Sequence, residues 1–326
     1  MLAREILQRV REIQVRTGRQ VADVLAGEYI SVFKGRGIEF DEVRPYVPGD
    51  DVRSIDWNVT ARTGAAYVKR YVEERQLTLM LMADISASQD FGSGSRSKRE
   101  ATAELCALLA FSASRNDDKV GLTLFHGGIE QFIPPRKGQK HALRVVREVL
   151  AHGEEAGVVP DVAAPALLTG FRHWATTRLR GLRRPRAGRH STHIASAMEF
   201  LLSVNKRRTI CFVVSDFLDE GWERALVMAN QRHDVIAVLV TDPRELALND
   251  IGLVALQDAE TGRTGLYDTG SRSFREAVAR EAQARVEALE HRMRSAGIDF
   301  IHIDAAGSVV DPLVKFFRMR GRRRRG

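Results

Sequence analysis

Cysteine is scarce in this 326-residue sequence, which has only Cys106 and Cys211. The two positions are far apart and neither has a ligand-like neighbour, so the sequence excludes a disulfide framework and a cysteine-based zinc site. Cys106 falls in a helical pattern and Cys211 in a strand pattern. We therefore expect both thiols to be buried and inert.

Long hydrophobic runs are also missing. No stretch approaches the about 20 apolar residues of a transmembrane helix, and the N-terminus lacks the apolar block of a signal peptide. From these two absences we expect a cytoplasmic protein. With 44% hydrophobic and 28% charged residues, the chain can bury a large core in one sizeable domain with appendages.

Acidic residues are absent from one long stretch. Between Val162 and Met198 there are seven arginines and no Asp or Glu, and six more arginines follow Phe317. The net charge of +8 thus belongs to an Arg-rich insertion at about residues 152–190 and a basic tail at residues 318–326. The tail suits electrostatic binding to nucleic acid or anionic lipid, but no aromatic residues interleave it for base stacking. The alternative is a solvated, disordered tail.

The strongest local pattern is the apolar run over residues 77–83. It has no polar face, which predicts a strand buried on both sides. Asp84, Ser86 and Ser88 follow at alternate positions, at the carboxyl end of that strand, where open α/β sheets bind ligands. One carboxylate and two hydroxyls suit Mg²⁺ or Mn²⁺. The alternative is that Ser86 or Ser88 caps the next helix.

Strand and helix patterns alternate over residues 77–317, which predicts a doubly wound α/β domain with a mostly parallel sheet. An amphipathic helical segment at residues 1–27 and a small β subdomain at residues 28–76 precede it. A later apolar strand at residues 210–214 leads to Asp216, and Thr192 opens a helix between the two strands. Neighbouring parallel strands would bring these residues to the sheet edge that carries Asp84.

Charged residues of both signs crowd the small β subdomain around a tryptophan. They are Arg44, Asp50, Asp51, Arg53, Asp56 and Arg62, with Trp57 among them. The pattern favours a network of ion pairs, which either holds irregular loops together or forms a docking surface for a partner. No nucleophile, histidine or cofactor motif accompanies these carboxylates, which argues against a catalytic pair.

Two stretches resemble known families. The order Asp-x-Ser-x-Ser, then Thr, then Asp resembles the metal-ion-dependent adhesion site of von Willebrand factor A domains. The stretch from Glu39-Phe40 to Ala61-Arg62-Thr63, with Arg44-x-Tyr46-x-Pro48-Gly49-Asp50-Asp51-x-Arg53-x-Ile55-Asp56-Trp57 inside it, resembles the signature of the bacterial family named domain of unknown function 58. Together the resemblances cover about residues 28–305, and they imply a von Willebrand factor A-like fold.

The resemblance also implies roles for single residues. Ser86, Ser88 and Thr192 would coordinate Mg²⁺ through their hydroxyls, and Asp84 and Asp216 would hold it directly or through waters. This sequence departs from the pattern before Thr192, where His190-Ser191 stands in place of glycines. The Arg-rich insertion just before that position is a second departure.

The sequence therefore predicts a non-enzymatic interaction module that binds a partner's carboxylate through Mg²⁺ or Mn²⁺, with no small-molecule substrate. Genes of the resembling family usually neighbour a MoxR-type AAA+ ATPase, which makes that ATPase the expected partner. One alternative is a protein that binds nucleic acid or anionic membranes through the insertion and tail. A second alternative is a metal-dependent hydrolase, for which no general base is identifiable.

Overall fold

A computed structural model describes residues 12, 13, 15, 29, 39–72, 76–151, 193–257 and 263–325. The predicted helical segment at residues 1–27, the Arg-rich insertion at about 152–190 and the predicted ligand Thr192 fall wholly or almost wholly outside these residues. Two short strands come first, β1 (Glu39–Pro45) and β2 (Tyr67–Val72). Between them lie a 3₁₀ turn, Val52–Ser54, and the helix α1 (Trp57–Thr63).

A parallel sheet organises the rest of the chain. Its strands are β3 (Thr78–Asp84), β4 (Lys119–Phe125), β5 (Ile129–Arg136), β6 (Ile210–Ser215), β7 (Asp234–Thr241) and β10 (Asp299–Asp304). Within the described residues their order is β10-β7-β6-β3-β4-β5, and only the edge strand β5 runs antiparallel to its neighbour. A separate hairpin pairs β8 (Leu253–Gln257) with β9 (Thr264–Asp268).

Helices cover both faces of this sheet. They are α2 (Lys98–Arg115), α3 (Gln139–Ala151), α4 (Ile194–Val204), α5 (Glu223–Arg232), α6 (Pro243–Leu246), α7 (Arg272–Ser295) and α8 (Val310–Arg325). Leu79 and Leu81 of β3 pack with α2, α3 and α8, whereas Met80 and Met82 pack with α4, α5 and α7. The predicted doubly wound α/β architecture is confirmed, because alternate side chains of one strand enter two separate cores.

Strand register decides which chain segments meet at the carboxyl edge of the sheet. In β3, Ala83 is opposite Val214 of β6, and in β6 Ser215 is opposite Leu239 of β7. The three strands therefore end side by side, and the residues that follow them share one edge. This edge carries Asp84, Asp216 and Asp242, each of which is at most 3% exposed.

The C-terminal segment differs from its prediction. The sequence predicts an α/β domain that ends at residue 317 and a basic tail at residues 318–326, yet α8 continues to Arg325. Arg320 is only 9% exposed, and its guanidinium forms ion pairs with Asp234 and Asp299. A disordered tail is thus wrong for residues 318–325, because tertiary ion pairs extend the helix beyond its apolar pattern.

No helix in the described part of the chain is both long enough and apolar enough to span a membrane. The cytoplasmic location stays a prediction.

Candidate metal centre

The Asp-x-Ser-x-Ser segment turns sharply at the end of β3. Asp84 is 2% exposed, Ser86 is 3% exposed and Ser88 is 1% exposed, so all three polar side chains point inward. A 3₁₀ turn over Ala87–Asp90 follows, and Ser86 precedes it without making a side-chain cap hydrogen bond. The predicted alternative, in which Ser86 or Ser88 caps the next helix, is therefore wrong, because α2 is capped by Ser97 and the Ser88 hydroxyl donates to Asp216.

Hydrogen bonds hold both carboxylate oxygens of Asp84. The backbone N–H of Ser86 donates to Asp84 Oδ1 over 2.8 Å, and the hydroxyl of Ser215 donates to Asp84 Oδ2 over 2.7 Å. Ser215 is the last residue of β6, so this contact ties the ends of two neighbouring strands together. The carboxylate has a fixed orientation as a result.

A chain of side chains then crosses from β3 to the segment after β6. The hydroxyl oxygens of Ser86 and Ser88 are 3.0 Å apart, and Ser88 donates to Asp216 Oδ2 over 2.7 Å. Ser88 and Asp216 are 128 positions apart in the chain, yet they meet because β3 and β6 are neighbours. The structure thus brings together four of the five predicted ligands.

The fifth predicted ligand, Thr192, lies outside the described residues. The segment directly after it is fixed by two backbone hydrogen bonds. The N–H of His193 donates to the carbonyl of His126 over 2.7 Å, and that of Ile194 donates to Asp219 Oδ2 over 3.1 Å. Asp219 is three positions after Asp216, so α4 begins against the same loop that carries Asp216.

A buried lysine lies behind Asp216. Lys98, the first residue of α2, is fully buried, and its Nζ is 3.2 Å from Asp216 Oδ2 and 2.7 Å from Glu245 Oε1. The other oxygen of Glu245 accepts the backbone N–H of Asp242 over 3.0 Å. The ammonium therefore links the segments after β6 and β7 to the start of α2.

The two aspartates have opposite pKa shifts. Burial, together with the neighbouring charge of Asp216, raises the pKa of Asp84 to about 7 despite the hydrogen bonds from Ser215 and Ser86. Burial also raises the pKa of Asp216, but the charge of Lys98 and the hydrogen bond from Ser88 outweigh it and the pKa is lowered. Asp216 is thus the permanent anion of the pair.

The residue after Asp216 has an unusual backbone. Phe217 has φ of 53°, which is a left-handed backbone conformation that residues other than glycine seldom adopt. Its ring is buried and packs edge-on against Trp222, with centroids 5.5 Å apart. The burial of this ring holds the turn that aims Asp216 at Ser88, and strain of this kind concentrates at functional sites.

The donor set fits a hard divalent cation. Asp84, Ser86, Ser88 and Asp216 offer carboxylate and hydroxyl oxygens, the ligands that Mg²⁺ and Mn²⁺ prefer. Two buried carboxylates close enough to perturb each other favour a positive charge between them. Among the described residues, no group of three or more His, Cys, Asp or Glu side chains is arranged to hold a metal. A metal here would therefore depend on the serine hydroxyls.

The raised pKa of Asp84 predicts how stability depends on pH. Below about pH 7 the folded protein keeps this carboxyl protonated, whereas the unfolded chain releases the proton near pH 4. The contribution of Asp84 to the free energy of unfolding therefore falls as pH rises from about 4 to about 7, by at most about 1.4 kcal/mol per pH unit. Denaturant unfolding in metal-free buffer should show wild type losing stability relative to Asp84→Asn over this range. Parallel pH profiles for the two proteins would contradict the shift.

The residues predicted to bind a partner lie in the subdomain of β1, β2 and α1. Arg44 pairs with Asp50 through two contacts of 2.8 and 2.6 Å, which lowers the pKa of Asp50. Asp51 and Asp56 accept backbone N–H groups as caps of the 3₁₀ turn and of α1. These aspartates thus hold the irregular loops, which is one of the two roles weighed for them.

The remaining predicted residues of the subdomain face outward. Trp57 is 67% exposed, and Arg53 and Arg62 are also exposed. The Nε of Arg62 donates to the carbonyl of Asn58 over 3.3 Å. Val47 and Val52 are exposed as well, so this surface presents apolar side chains to solvent, as the docking role requires.

Sequence reasoning missed Lys98, Glu245 and the role of Ser215. One available signal was the position of Lys98 at the N-terminus of α2, where a positive charge opposes the helix dipole. A lysine at this position indicates that acidic groups from elsewhere in the fold stabilise its charge. Ser215 directly precedes Asp216, but strand order was needed to show that it faces Asp84.

Sequence comparison establishes the family. The profile of the family described as "Protein of unknown function DUF58" matches residues 42–288, and the chain belongs to this family. It is 30% identical over 314 residues to Rv1480 of Mycobacterium tuberculosis, which covers 96% of this chain and 89% of that protein. Mb1516 of Mycobacterium bovis shows the same values.

Several solved structures are similar at low identity. An aerotolerance-related membrane protein from Bacteroides fragilis has a TM-score of 0.44 and 14% identity, over 76% of this chain and 99% of that one. The VWA domain of SpRpn10 has a TM-score of 0.35 and 10% identity, over 74% of this chain and 94% of that one. The strand order and register of the sheet show the fold independently of these similarities.

Proposed function

We propose that this protein is a non-enzymatic interaction module that binds a partner's carboxylate through Mg²⁺ or Mn²⁺. The observation that carries the proposal is the buried chain of oxygens from Ser86 through Ser88 to Asp216, at the edge where β3 and β6 end. Asp84 completes the set, and the family resemblance adds Thr192.

The charge of the donors explains why such a site would capture a carboxylate. Serine and threonine hydroxyls are neutral, so they leave much of the charge of a divalent cation uncompensated. Mg²⁺ also keeps exchangeable water ligands readily. An Asp or Glu side chain of another protein would replace one of those waters, and binding would need no nucleophile.

A cavity beside the site offers further contacts to a partner. It has a volume of about 510 Å³ and lies between the Asp-x-Ser-x-Ser segment and the segment leading into β8. Ala87 and Phe91 line one side, and Leu248, Ile251 and Val254 line the other. Ala87 stands between Ser86 and Ser88 in the chain, so the cavity borders the Asp-x-Ser-x-Ser segment.

Exposed apolar side chains continue the surface beyond the cavity. Ile251, Leu253 and Leu266 are 60%, 65% and 68% exposed, respectively. Leu253 and Leu266 lie on neighbouring strands of the β8–β9 hairpin. A cluster of this kind is typical of a protein-binding surface.

The family resemblance suggests a MoxR-type AAA+ ATPase as the partner, with a role in protein remodelling or complex maturation. Nucleic-acid or membrane binding through the arginines is the second candidate, although Arg320 is already engaged by Asp234 and Asp299. A metal-dependent hydrolase is the third candidate function. Asp84 has a pKa near neutrality, but its two oxygens already accept hydrogen bonds, so it is badly placed to activate water.

Partner binding at constant Mg²⁺ tests the proposal. A MoxR-type ATPase from the same genome is immobilised, and binding of wild type, Ser88→Ala and Ser203→Ala is measured by biolayer interferometry. Ser203 is exposed near the C-terminal end of α4, so it controls for loss of a hydroxyl. We expect Ser88→Ala to weaken binding by about tenfold or more and Ser203→Ala to leave it unchanged.

Two outcomes of this experiment would count against the proposal. Equal binding by Ser88→Ala and wild type would exclude the metal bridge. No binding by wild type would exclude the ATPase as the direct partner. A nucleotide-free repeat with EDTA separates the metal of this site from the magnesium of the ATPase.

A further inference from the structure

Burial of the Lys98 ammonium costs free energy unless opposite charges compensate it. An ammonium buried at the first position of α2 loses its hydration and opposes the helix dipole. Two carboxylates repay this cost, Asp216 at 3.2 Å and Glu245 at 2.7 Å. Its Nζ donates to both carboxylates, so the side chain is a cation inside the fold.

The ammonium shares an acceptor with the metal motif. Asp216 Oδ2 receives both the hydroxyl of Ser88 and the Nζ of Lys98. A divalent cation bound by Ser88 and Asp216 would therefore lie close to a fixed positive charge. The metal ion and the Lys98 ammonium would compete for Asp216, and each would lower the affinity of the site for the other. The reason is that like charges repel strongly at short distance in a protein interior.

We infer that Lys98 is a built-in cation, which balances the charge of the site without metal and weakens its affinity for a divalent ion. This inference rests on the metal site proposed above and deepens it. The free protein would bind Mg²⁺ weakly, and the metal would become firmly held only when a partner's carboxylate adds negative charge. Metal and partner would then bind together.

If Lys98 only positioned Asp216, its replacement would lower metal affinity instead of raising it. Loss of a group that orients a metal ligand usually lowers metal affinity by about 10- to 100-fold, whereas loss of a competing cation raises it. The sign of the change therefore separates the two roles. Lys98→Met removes charge and hydrogen bonds, and Lys98→Gln removes the charge but keeps an amide donor.

Calorimetric titration with Mg²⁺ and Mn²⁺ tests the inference on the full chain. We expect Lys98→Met and Lys98→Gln to bind metal about tenfold more tightly than wild type or more, and Lys98→Arg to resemble wild type. Lys140→Met is the matched control, because Lys140 is exposed. In thermal unfolding, Mg²⁺ should stabilise the two neutral variants more than it stabilises wild type.

Unpaired Glu245 would destabilise the single variants, so a double variant keeps the test decisive. Lys98→Gln with Glu245→Gln leaves two amides that can hydrogen-bond to each other and no unpaired charge at Glu245. We expect this protein to fold and to bind metal more tightly than wild type.

The outcomes separate this inference from the proposed function. Tighter binding by the neutral variants supports it, also when wild type alone shows no binding, since the inference makes the metal affinity of the free chain weak. Equal or weaker binding by the neutral variants overturns it, while saturable binding by wild type still supports the metal site. No binding by any variant overturns the inference, whereas the metal bridge is overturned by equal partner binding of Ser88→Ala and wild type.

Discussion

Replacement of Asp84 by alanine is expected to abolish saturable binding of Mg²⁺ or Mn²⁺. Asp84 is the carboxylate at the end of β3, and it is held by Ser86 and Ser215. Loss of a metal ligand costs more than loss of an outer hydrogen bond, so we expect affinity to fall by more than about 100-fold. Calorimetric titration of wild type and variant measures the change.

A second substitution separates a direct effect on metal binding from an effect on folding. Alanine at position 84 leaves the Ser215 hydroxyl and the Ser86 N–H without their acceptor in a buried place, which destabilises the fold. Asp84→Asn has a similar shape, keeps one acceptor oxygen and removes the charge; its amide N–H can donate to the Ser215 hydroxyl, which accepts as well as donates. If Asp84→Asn folds like wild type yet binds no metal, the charge of Asp84 is required. Full metal affinity in Asp84→Asn would exclude Asp84 as a ligand.

The exposed variant Asp311→Ala provides the matched control. Asp311 is an exposed carboxylate in the first turn of α8. Its removal changes net charge by the same amount as Asp84→Ala. Equal losses in both variants would mean that the titration reports non-specific attraction of cations to the protein.

The second large effect is expected on stability. Arg320→Met would remove the guanidinium that pairs with both Asp234 and Asp299, and Asp299 would keep its contact with Arg323 at 3.2 Å. Breaking a buried ion pair from one side costs several kcal/mol. The side chain of Arg320 is 10% exposed and those of the two aspartates are 16% and 20% exposed. We therefore expect a loss of about 3 kcal/mol, the low end of the range for buried pairs.

Denaturant unfolding of Arg320→Met and Arg322→Met measures this effect. Arg322 is exposed on the same helix, so its replacement should change stability by less than about 0.5 kcal/mol. Equal stability of the two variants would show that the ion pairs of Arg320 contribute nothing. A deletion of residues 318–326 would remove Arg320 together with the other arginines of the tail. Loss of nucleic-acid binding in that deletion could therefore come from lost stability, and the stability of Arg320→Met shows how large that contribution is.

Much of the fold followed from local patterns. The apolar run that ends at Asp84 is a strand buried on both faces, as its lack of a polar face requires. The alternation of strand and helix patterns gave the doubly wound sheet, and the spacing of Asp84, Ser86 and Ser88 placed three oxygens in one turn. Periodicity and short-range spacing are properties of neighbouring residues, and a sequence displays them directly.

The tertiary structure alone decided what surrounds those oxygens. Strand order put Ser215 on Asp84 and Asp216 on Ser88, and it gave Lys98 two carboxylates from segments more than 100 positions away. It also continued α8 beyond Phe317, through the ion pairs of Arg320 with Asp234 and Asp299. A buried charge is stabilised by whichever opposite charge the fold brings within reach. The sequence determined the Asp-x-Ser-x-Ser segment, and the packing of distant segments determined its electrostatic environment.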